Sequence, residues 1–355
     1  GSYFNLSGRF QYGFQGFSQE TFFYGNNGFY DPSLQFLSRD DAQATSSVRG
    51  GTAFGIYPFD RFRRVEFTGG MFHTKEEFRN QALEQQAIQF QEQQFGTALF
   101  RTGAQMPFGA SFIQETTVFR EFGPVDGNAM RLAYQYAPSI GSTFLGKQTL
   151  DADARYYKRI GQTGVLALRG RWFNSFGDFP DFHFFGGNGD MRGFDYLEFI
   201  GHEAGHINAE LRFPLIEAML TPIGVLGGIR GTFFFNLGGA SLNDVPFKLS
   251  SGSTETLTPI VGFAEEGVVL LDGTLGTQIV PTFGPERVIS GFRLVDARAA
   301  YGIGLTTFVI GFPAHFDWSW RTLFNKDWED VVFGTQGGSE EYRKPQFDFW
   351  IGYDF

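Results

Sequence analysis

The residue pattern at the end of the chain restricts the possible folds more than any other feature. Residues 346–355 alternate between an apolar set and a polar set, namely Phe347, Phe349, Ile351, Tyr353 and Phe355 against Gln346, Asp348, Gly352 and Asp354. An extended backbone places these sets on opposite faces, whereas a helix with 3.6 residues per turn mixes them. The pattern therefore predicts a β-strand with one apolar face and one polar face.

The same alternation recurs in residues 130–136, 166–172, 295–305 and 312–321. In each segment an apolar or aromatic set opposes a set that includes arginine or aspartate. The strands of a soluble antiparallel sandwich also alternate, but they seldom carry Arg and Asp in so many places with aromatics opposite. The pattern favours strands that separate lipid from a polar interior.

The composition is typical of a barrel wall. The 355 residues include 46 Phe and 48 Gly, only 19% are charged, and the mean hydropathy is −0.17. A membrane-spanning helix needs about 18 nearly uncharged apolar residues, and the best candidate, residues 218–229, is shorter and contains Pro222. We predict an all-β fold, an antiparallel transmembrane β-barrel that forms one domain over residues 1–355.

The connections between strands are expected to alternate between short turns and long loops, as in outer-membrane barrels. Short Gly/Pro/Asp-rich turns are predicted at residues 57–60, 123–127 and 160–164, and long loops at 178–201, 240–290 and 325–344. Residues 73–94 are open to three interpretations: a loop, a short surface helix or a poorly marked strand. About 13 strands can be placed. Because single-chain bacterial barrels have an even number, we expect 16. The missing strands would lie either in the weakly patterned N-terminal third or ahead of the first residue of the fragment.

Two features of the composition exclude classes of function. The chain has no cysteine, which excludes a disulfide framework, a thiolate metal site and a cysteine nucleophile. Its net charge is −10, whereas binding to nucleic acid needs a concentrated positive surface. We therefore expect no nucleic acid partner.

One enzyme motif is present, the zincin-like sequence H-E-x-x-H at residues 202–206. Zinc binding by this motif needs both histidines one turn apart on a helix. Here the motif runs into the alternating residues 206–212, and in a strand His202 and His206 would lie about 13 Å apart. His315, Asp317 and Ser319 share one strand face and similarly lack the contact that activates a serine. We expect no enzymatic activity, no metal and no cofactor, and interpret these side chains as lumen lining.

Three motifs resemble a known family. Residues 186–194 (GGNGDMRGF), 208–215 (NAELRFPL) and 233–238 (FFFNLG) are similar, in the same order, to the C-terminal half of the BamA/TamA/Sam-type bacterial surface antigen barrels. The terminal strand that ends at Phe355 resembles the C-terminal signal of outer-membrane barrels in general.

The resemblance implies a specific site. The glycine-rich loop, with Gly187, Arg192, Gly193 and Phe194, is expected to fold back into the lumen, where its arginine meets polar groups of the barrel wall. The implied wall partners are Glu210 and Asn236, the latter at a position where the family usually has aspartate. Arg192 is therefore expected to pair with Glu210 and only to hydrogen-bond to Asn236. Arginine suits this position because its planar fork makes directional contacts and stays charged when partly buried.

The resemblance also implies a function, the insertion or translocation of proteins at the bacterial outer membrane. The implied partners are outer-membrane lipid, substrate polypeptides and accessory periplasmic proteins or lipoproteins. A lateral seam between the first and last strands, including Gly352, Tyr353 and Phe355, is expected to offer a strand edge to a substrate. At Gly352 the alternative interpretation is a close backbone approach or a bend.

Two other functions remain open from the sequence. The barrel could be a membrane anchor or secretion pore for a fused N-terminal domain that is lipase-like or propeller-like, or it could be a passive pore. Family members carry soluble modules ahead of the barrel, so the sequence upstream of Gly1 would discriminate: tandem POTRA modules favour insertion, and a lipase or propeller favours the anchor.

Overall fold

The computed structural model describes residues 1–24, 43–95, 102–120, 123–141, 143–161, 163–221, 224–243, 245–269, 275–309 and 312–352. Strands account for most of this part of the chain. None of its helices combines the length and the apolar character that crossing a membrane requires.

The strands, in chain order, are β1 Ser2–Asn5, β2 Gln11–Tyr24, β3 Gln43–Pro58, β4 Arg63–Phe78, β5 Gly103–Gln105, β6 Phe108–Glu115, β7 Val118–Arg120, β8 Gly123–Ala137, β9 Lys147–Ile160, β10 Gly164–Phe176, β11 His183–Phe185, β12 Phe199–Gly201, β13 Glu203–Thr221, β14 Gly224–Ser241, β15 Ser250–Ser251, β16 Glu255–Leu257, β17 Ile260–Val269, β18 Leu275–Phe283, β19 Arg287–Ile289, β20 Arg293–Leu294, β21 Ala297–Val309, β22 Phe312–Thr322 and β23 Gln346–Ile351. The α-helices are α1 Gln81–Phe95, α2 Lys326–Val332 and α3 Gly338–Tyr342.

One antiparallel sheet of 15 strands forms the body of the protein. Its strands follow the order β1-β2-β3-β4-β6-β8-β9-β10-β13-β14-β21-β22-β23, with β5 paired to β4 and β7 paired to β8. The predicted all-β antiparallel class is confirmed. Of these 15 strands, β5 and β7 lie outside the main order, which leaves 13 successive strands within the described residues. The expected total of 16 therefore stays a prediction.

The alternation predicted for the last strand is present in β23. Phe347, Phe349 and Ile351 are each more than half exposed, whereas the residues between them are partly buried. On the exposed face Phe349 lies opposite Phe316 of β22, with ring centroids 5.2 Å apart, which is a typical stabilising cross-strand aromatic pair. Tyr353 and Phe355 lie outside the described residues.

The opposite face of the sheet is polar and buried. Arg169 on β10, Glu210 and Arg212 on β13, and His315 and Asp317 on β22 are all at most 7% exposed. Buried charges are costly unless they are paired, and the loop between β10 and β13 supplies part of the pairing. An apolar core lies between that loop and the sheet and consists of Phe185, Met191, Phe194, Phe199, Ala204 and Ala300.

Several connections differ from the predictions, and the long loops predicted at 178–201 and 240–290 contain the short pair β11–β12 and the strands β15 to β19. The turn predicted at residues 123–127 is wrong, because these residues begin β8 and pair with β7. Gly123 and Gly127 have φ of +113° and +93°, and the β7–β8 ladder shifts register. These glycines therefore permit the irregular backbone at the start of β8. For residues 73–94 the structure shows the end of β4 followed by α1.

The loop predicted at residues 325–344 is largely helical. It contains α2, a short 3-10 helix at Gly334–Gln336 and α3. The fully buried Glu329 holds this segment to the end of β22, because its Oε1 accepts from the backbone N–H of Leu323 at 2.7 Å while both carboxylate oxygens contact Arg343. Stacking of Phe333 on Tyr342 at 3.9 Å closes the helical segment.

Acid is expected to loosen this helical segment at Asp330. Burial alone would raise the pKa of Asp330, but the backbone N–H of Ser339 and nearby Arg287 outweigh it and hold this pKa below its usual value of about 3.9. A carboxyl with a lowered pKa contributes stability above its unfolded pKa, and the contribution is lost as pH falls through the folded pKa. The amide shift of Ser339, followed by NMR, should titrate with a midpoint below about 3.9. This step should be missing in Asp330→Asn, and a midpoint above 3.9 would contradict the assignment.

Candidate functional site

The predicted inward loop, residues 186–194, is a compact turn on the polar side of the sheet. Its first part is closed into a turn by hydrogen bonds from the N–H groups of Asp190 and Met191 to the carbonyl oxygen of Gly187, at 3.2 and 2.8 Å. Gly187 has φ +75° and Gly193 has φ +86°, conformations that favour glycine. These two glycines let the chain reverse so that Arg192 and Phe194 enter the space enclosed by the sheet.

Arg192 lies at the centre of the site and is 3% exposed. Its Nη2 lies 2.7 Å from Oε1 of Glu210 on β13, and its Nη1 lies 3.5 Å from Oδ2 of Asp317 on β22. Both carboxylates are 1% exposed. The guanidinium also lies 5.0 Å from the ring centroid of Phe234 and 5.7 Å from that of Trp350. Ion pairs and aromatic faces together compensate for the desolvation of the arginine.

A second arginine shares Glu210. Arg212, two residues further along the same face of β13, donates from Nε to Oε2 of Glu210 at 2.7 Å and is 2% exposed. Glu210 therefore lies between two guanidiniums. Together with Asp317, the group holds two positive and two negative side chains, which is the balance that a buried cluster needs.

The side chain of Asn236 contacts the backbone of the loop. Its side-chain Nδ2 donates to the carbonyl oxygen of Arg192 at 3.3 Å; with the amide turned over, its oxygen would accept from the N–H of Arg192 at 3.1 Å. Asn208 joins the same network, since its Nδ2 donates to the carbonyl oxygen of Asp190 and to Asn236 Oδ1. Asn236 thus fixes the path of the loop, and Glu210 and Asp317 hold its charge.

Sequence reasoning missed Asp317 as a partner of Arg192. Asp317 was interpreted as lumen lining, and the resemblance pointed to β13 and β14 for the partners of Arg192. The structure adds a carboxylate from β22, and Trp350 Nε1 on β23 donates to Asp317 Oδ2 at 2.8 Å. The available signal was the inward position of Asp317 in its alternating segment.

Gly193 and Phe194 seat the loop against the sheet. An added Cβ at Gly193 would lie 2.5 Å from Oγ of Ser319, so the backbone touches β22 directly. Phe194 is 6% exposed and packs edge-on against Phe199, with ring centroids 5.2 Å apart. Arg321 lies over the other side of the Phe194 ring at 5.7 Å.

The contacts of Arg192 show that the sheet curves around the loop. Glu210 is on β13 and Trp350 is on β23, which are four steps apart in the strand order. In a flat sheet four steps of about 4.8 Å would separate the two strands by about 19 Å. One guanidinium nevertheless reaches both residues, so these strands form a concave wall.

The two histidines of the H-E-x-x-H motif do not lie on a helix, because β13 begins at Glu203. His206 is on the inner face, with Nε2 3.8 Å from Asp190 Oδ1. His202 packs against Phe182 at an interplanar angle of 43°, with ring centroids 4.2 Å apart, and its Nδ1 accepts from the backbone N–H of Asn243 at 3.4 Å. Within the described ranges no group of three or more His, Asp or Glu is placed to hold a metal ion.

The sheet and the loop together define the class of protein. A large antiparallel sheet with an apolar outer face and a polar inner face, curved around an inward loop, is the architecture of a β-barrel. The fold is similar to that of BamA from Haemophilus ducreyi lacking POTRA domains 1-3, with a TM-score of 0.56 at 13% identity over 98% of this chain. The match covers 60% of that BamA chain, so this chain spans less than two thirds of its length.

A second solved structure, CdiB from Acinetobacter baumannii, gives a TM-score of 0.48 at 10% identity, covering 99% of this chain and 48% of that one. Neither the family models nor the curated proteins give a match. At these identities the likeness to BamA concerns the fold alone.

Proposed function

We propose that this chain is the barrel of an outer-membrane protein that inserts or translocates polypeptides and does so without enzymatic chemistry. The observation that carries the proposal is the buried Arg192, held between Glu210 and Asp317 inside a sheet whose fold is similar to that of BamA. The BamA/TamA/Sam-type family, which the loop motif resembles, carries an inward arginine loop of this kind. Outer-membrane lipid and substrate polypeptides are the partners that the proposal requires.

The two ends of the sheet support a role in handling polypeptides. Among the described residues β1 pairs only with β2, and β23 pairs only with β22. Strands at the edge of a sheet carry backbone groups that can pair with another chain. In hydrocarbon an unpaired edge is costly, so an edge of this kind is closed at rest and opens when a polypeptide pairs with it.

The inward loop argues against a passive pore. Met191, Arg192 and Phe194 fill the space next to β13, β14 and β22, and each is at most 6% exposed. In a passive pore that space would be a water-filled path. A charged loop that is held by ion pairs obstructs the path and has to move before a polypeptide can enter.

Reconstitution of the full-length natural protein tests the proposal. Vesicles that contain it should accelerate the folding of a urea-unfolded, eight-stranded outer-membrane barrel several-fold over empty vesicles, measured by the gel-shift of the folded form. Arg192→Ala should reduce the acceleration, because the loop is no longer held. Equal folding rates of the added barrel in vesicles with and without the protein would contradict the proposal.

Planar bilayer recordings make a second prediction. The wild-type barrel should give small, flickering currents, because the loop obstructs the lumen, and Arg192→Ala should give larger and longer openings. Arg63→Ala is the matched control, since Arg63 pairs with Asp60 in an exposed turn. Steady, large openings that are identical in all three proteins would show that the chain is a passive pore.

A further inference from the structure

We propose that Asp317 and Trp350 are positioning residues that couple the Arg192 loop to β23, so that release of the loop releases the last strand. This inference rests on the proposed function, since it states how the inward loop controls the strand edge. The juxtaposition that carries it is a chain of contacts from Arg192 through Asp317 to Trp350. Both intermediate contacts use the same carboxylate oxygen, Oδ2 of Asp317.

Trp350 links the carboxylate to the end of β23. Its ring stacks on His315 of β22, with centroids 3.7 Å apart and an interplanar angle of 5°. His315 Nε2 lies 2.9 Å from the carbonyl oxygen of Gly352, and its Nδ1 lies 3.0 Å from Thr306 Oγ1 of β21. Each contact ties the final described residues of the chain to the neighbouring strands from the lumen side.

Within the described residues, which end at Gly352, β23 pairs with β22 from Gln346 to Ile351, and the backbone N–H of Gly352 donates to the carbonyl oxygen of Pro313 at 3.0 Å. By comparison, β13 and β14 are paired from Glu203 to Thr221. Each backbone pair adds little net free energy. The side-chain contacts of Trp350 and His315 on the inner face therefore add to the aromatic pairs of Phe347 and Phe349 on the outer face in holding this strand in place.

A pair of like charges favours the separation of β23 from β22 when the loop is released. Asp348 of β23 lies directly opposite Asp317 of β22 in the ladder. Facing carboxylates repel and destabilise strand pairing. While Arg192 is seated 3.5 Å from Asp317, its positive charge offsets this repulsion. When Arg192 moves away, its positive charge no longer offsets the repulsion between Asp317 and Asp348. This repulsion then favours the separation of β23 from β22.

Hydrogen exchange of the natural protein in lipid nanodiscs tests this link. We expect Arg192→Ala to speed exchange in residues 346–351 about tenfold or more, since a hydrogen bond or ion pair to a charged group shifts a local opening equilibrium by about that factor. Trp350→Phe, which keeps the ring stacked but removes the Nε1–H donor, should give a similar increase. Exchange in β8, Gly123–Ala137, should be accelerated much less in both.

Two double variants distinguish coupling from independent damage. If the contacts form one chain, Arg192→Ala with Trp350→Phe should speed exchange by less than the product of the two single effects. Arg192→Ala with Asp348→Asn should recover most of the wild-type protection, because the facing carboxylate is gone. Multiplicative effects, no recovery by Asp348→Asn, or equal acceleration in β8 would each overturn the proposal. Exchange needs no substrate, so this result is independent of whether the barrel inserts polypeptides.

Discussion

Arg192→Ala is expected to lower the free energy of unfolding by about 3–5 kcal/mol, since breaking a buried ion pair leaves uncompensated charge behind. Glu210 and Asp317 are each 1% exposed and cannot regain water in place. Glu210 keeps Arg212 as a partner. Asp317 keeps only the Trp350 donor among the partners described above, so the main cost falls on β22 and β23.

Urea unfolding of the barrel in lipid vesicles, followed by tryptophan fluorescence, measures this loss. The matched control is Arg63→Ala, which breaks an exposed pair with Asp60 and should cost at most about 1 kcal/mol. Arg192→Ala combined with Glu210→Ala should destabilise by less than the sum of the single changes, because both remove the same interaction. If Arg192→Ala lowered the free energy of unfolding by less than about 1 kcal/mol, the ion pairs of Arg192 with Glu210 and Asp317 would not be what stabilises this site.

The outer and inner faces of the strands could be predicted from the sequence because the strand period is local. Side chains two residues apart lie on the same face of a strand. Phe347, Phe349 and Ile351 therefore identify the outer face of β23 without knowledge of the neighbouring strands. The same reasoning assigned His315 and Asp317 to the inner face of β22.

The alternating pattern alone could not pair Arg192 with Asp317, because that contact depends on which strands meet across the enclosed space. Arg192 and Asp317 are far apart in the chain, and only the curvature of the sheet brings them within 3.5 Å. Local pattern also failed at β8, where residues 123–127 have the composition of a turn but form a strand in which Gly123 pairs with β7 and Gly127 with β9. The helices α2 and α3 carry few apolar residues in a regular period and depend on Glu329 and Phe333 for contacts.

The distribution of charge around Arg192 explains how Asn236 is accommodated. The resemblance places an aspartate at this position in most family members, and an amide there removes one negative charge. In this chain Asp317 of β22 provides a second carboxylate, so Arg192 and Arg212 are still balanced by two acids. Asn236 instead contacts the backbone of Arg192, a role that needs no charge.

Gly193→Ala is expected to prevent the loop from seating and to cost about 2–5 kcal/mol. A Cβ would lie 2.5 Å from Oγ and 2.9 Å from Cβ of Ser319, and overpacking of this kind costs about 1–3 kcal/mol. The φ of +86° adds about 1–2 kcal/mol for any residue other than glycine. Both terms act on the segment that places Arg192 between Glu210 and Asp317.

Vesicle unfolding and limited proteolysis of the loop measure this effect, and the chain offers a matched control in the same loop. Gly189→Ala should have little effect, because a Cβ there meets nothing within 4 Å. Ser319→Gly should rescue Gly193→Ala only in part, since it removes the steric contact but leaves the unfavourable φ. If Gly193→Ala and Gly189→Ala were equally stable and equally resistant to protease, the close approach of the loop to β22 would not be what holds Arg192 in place.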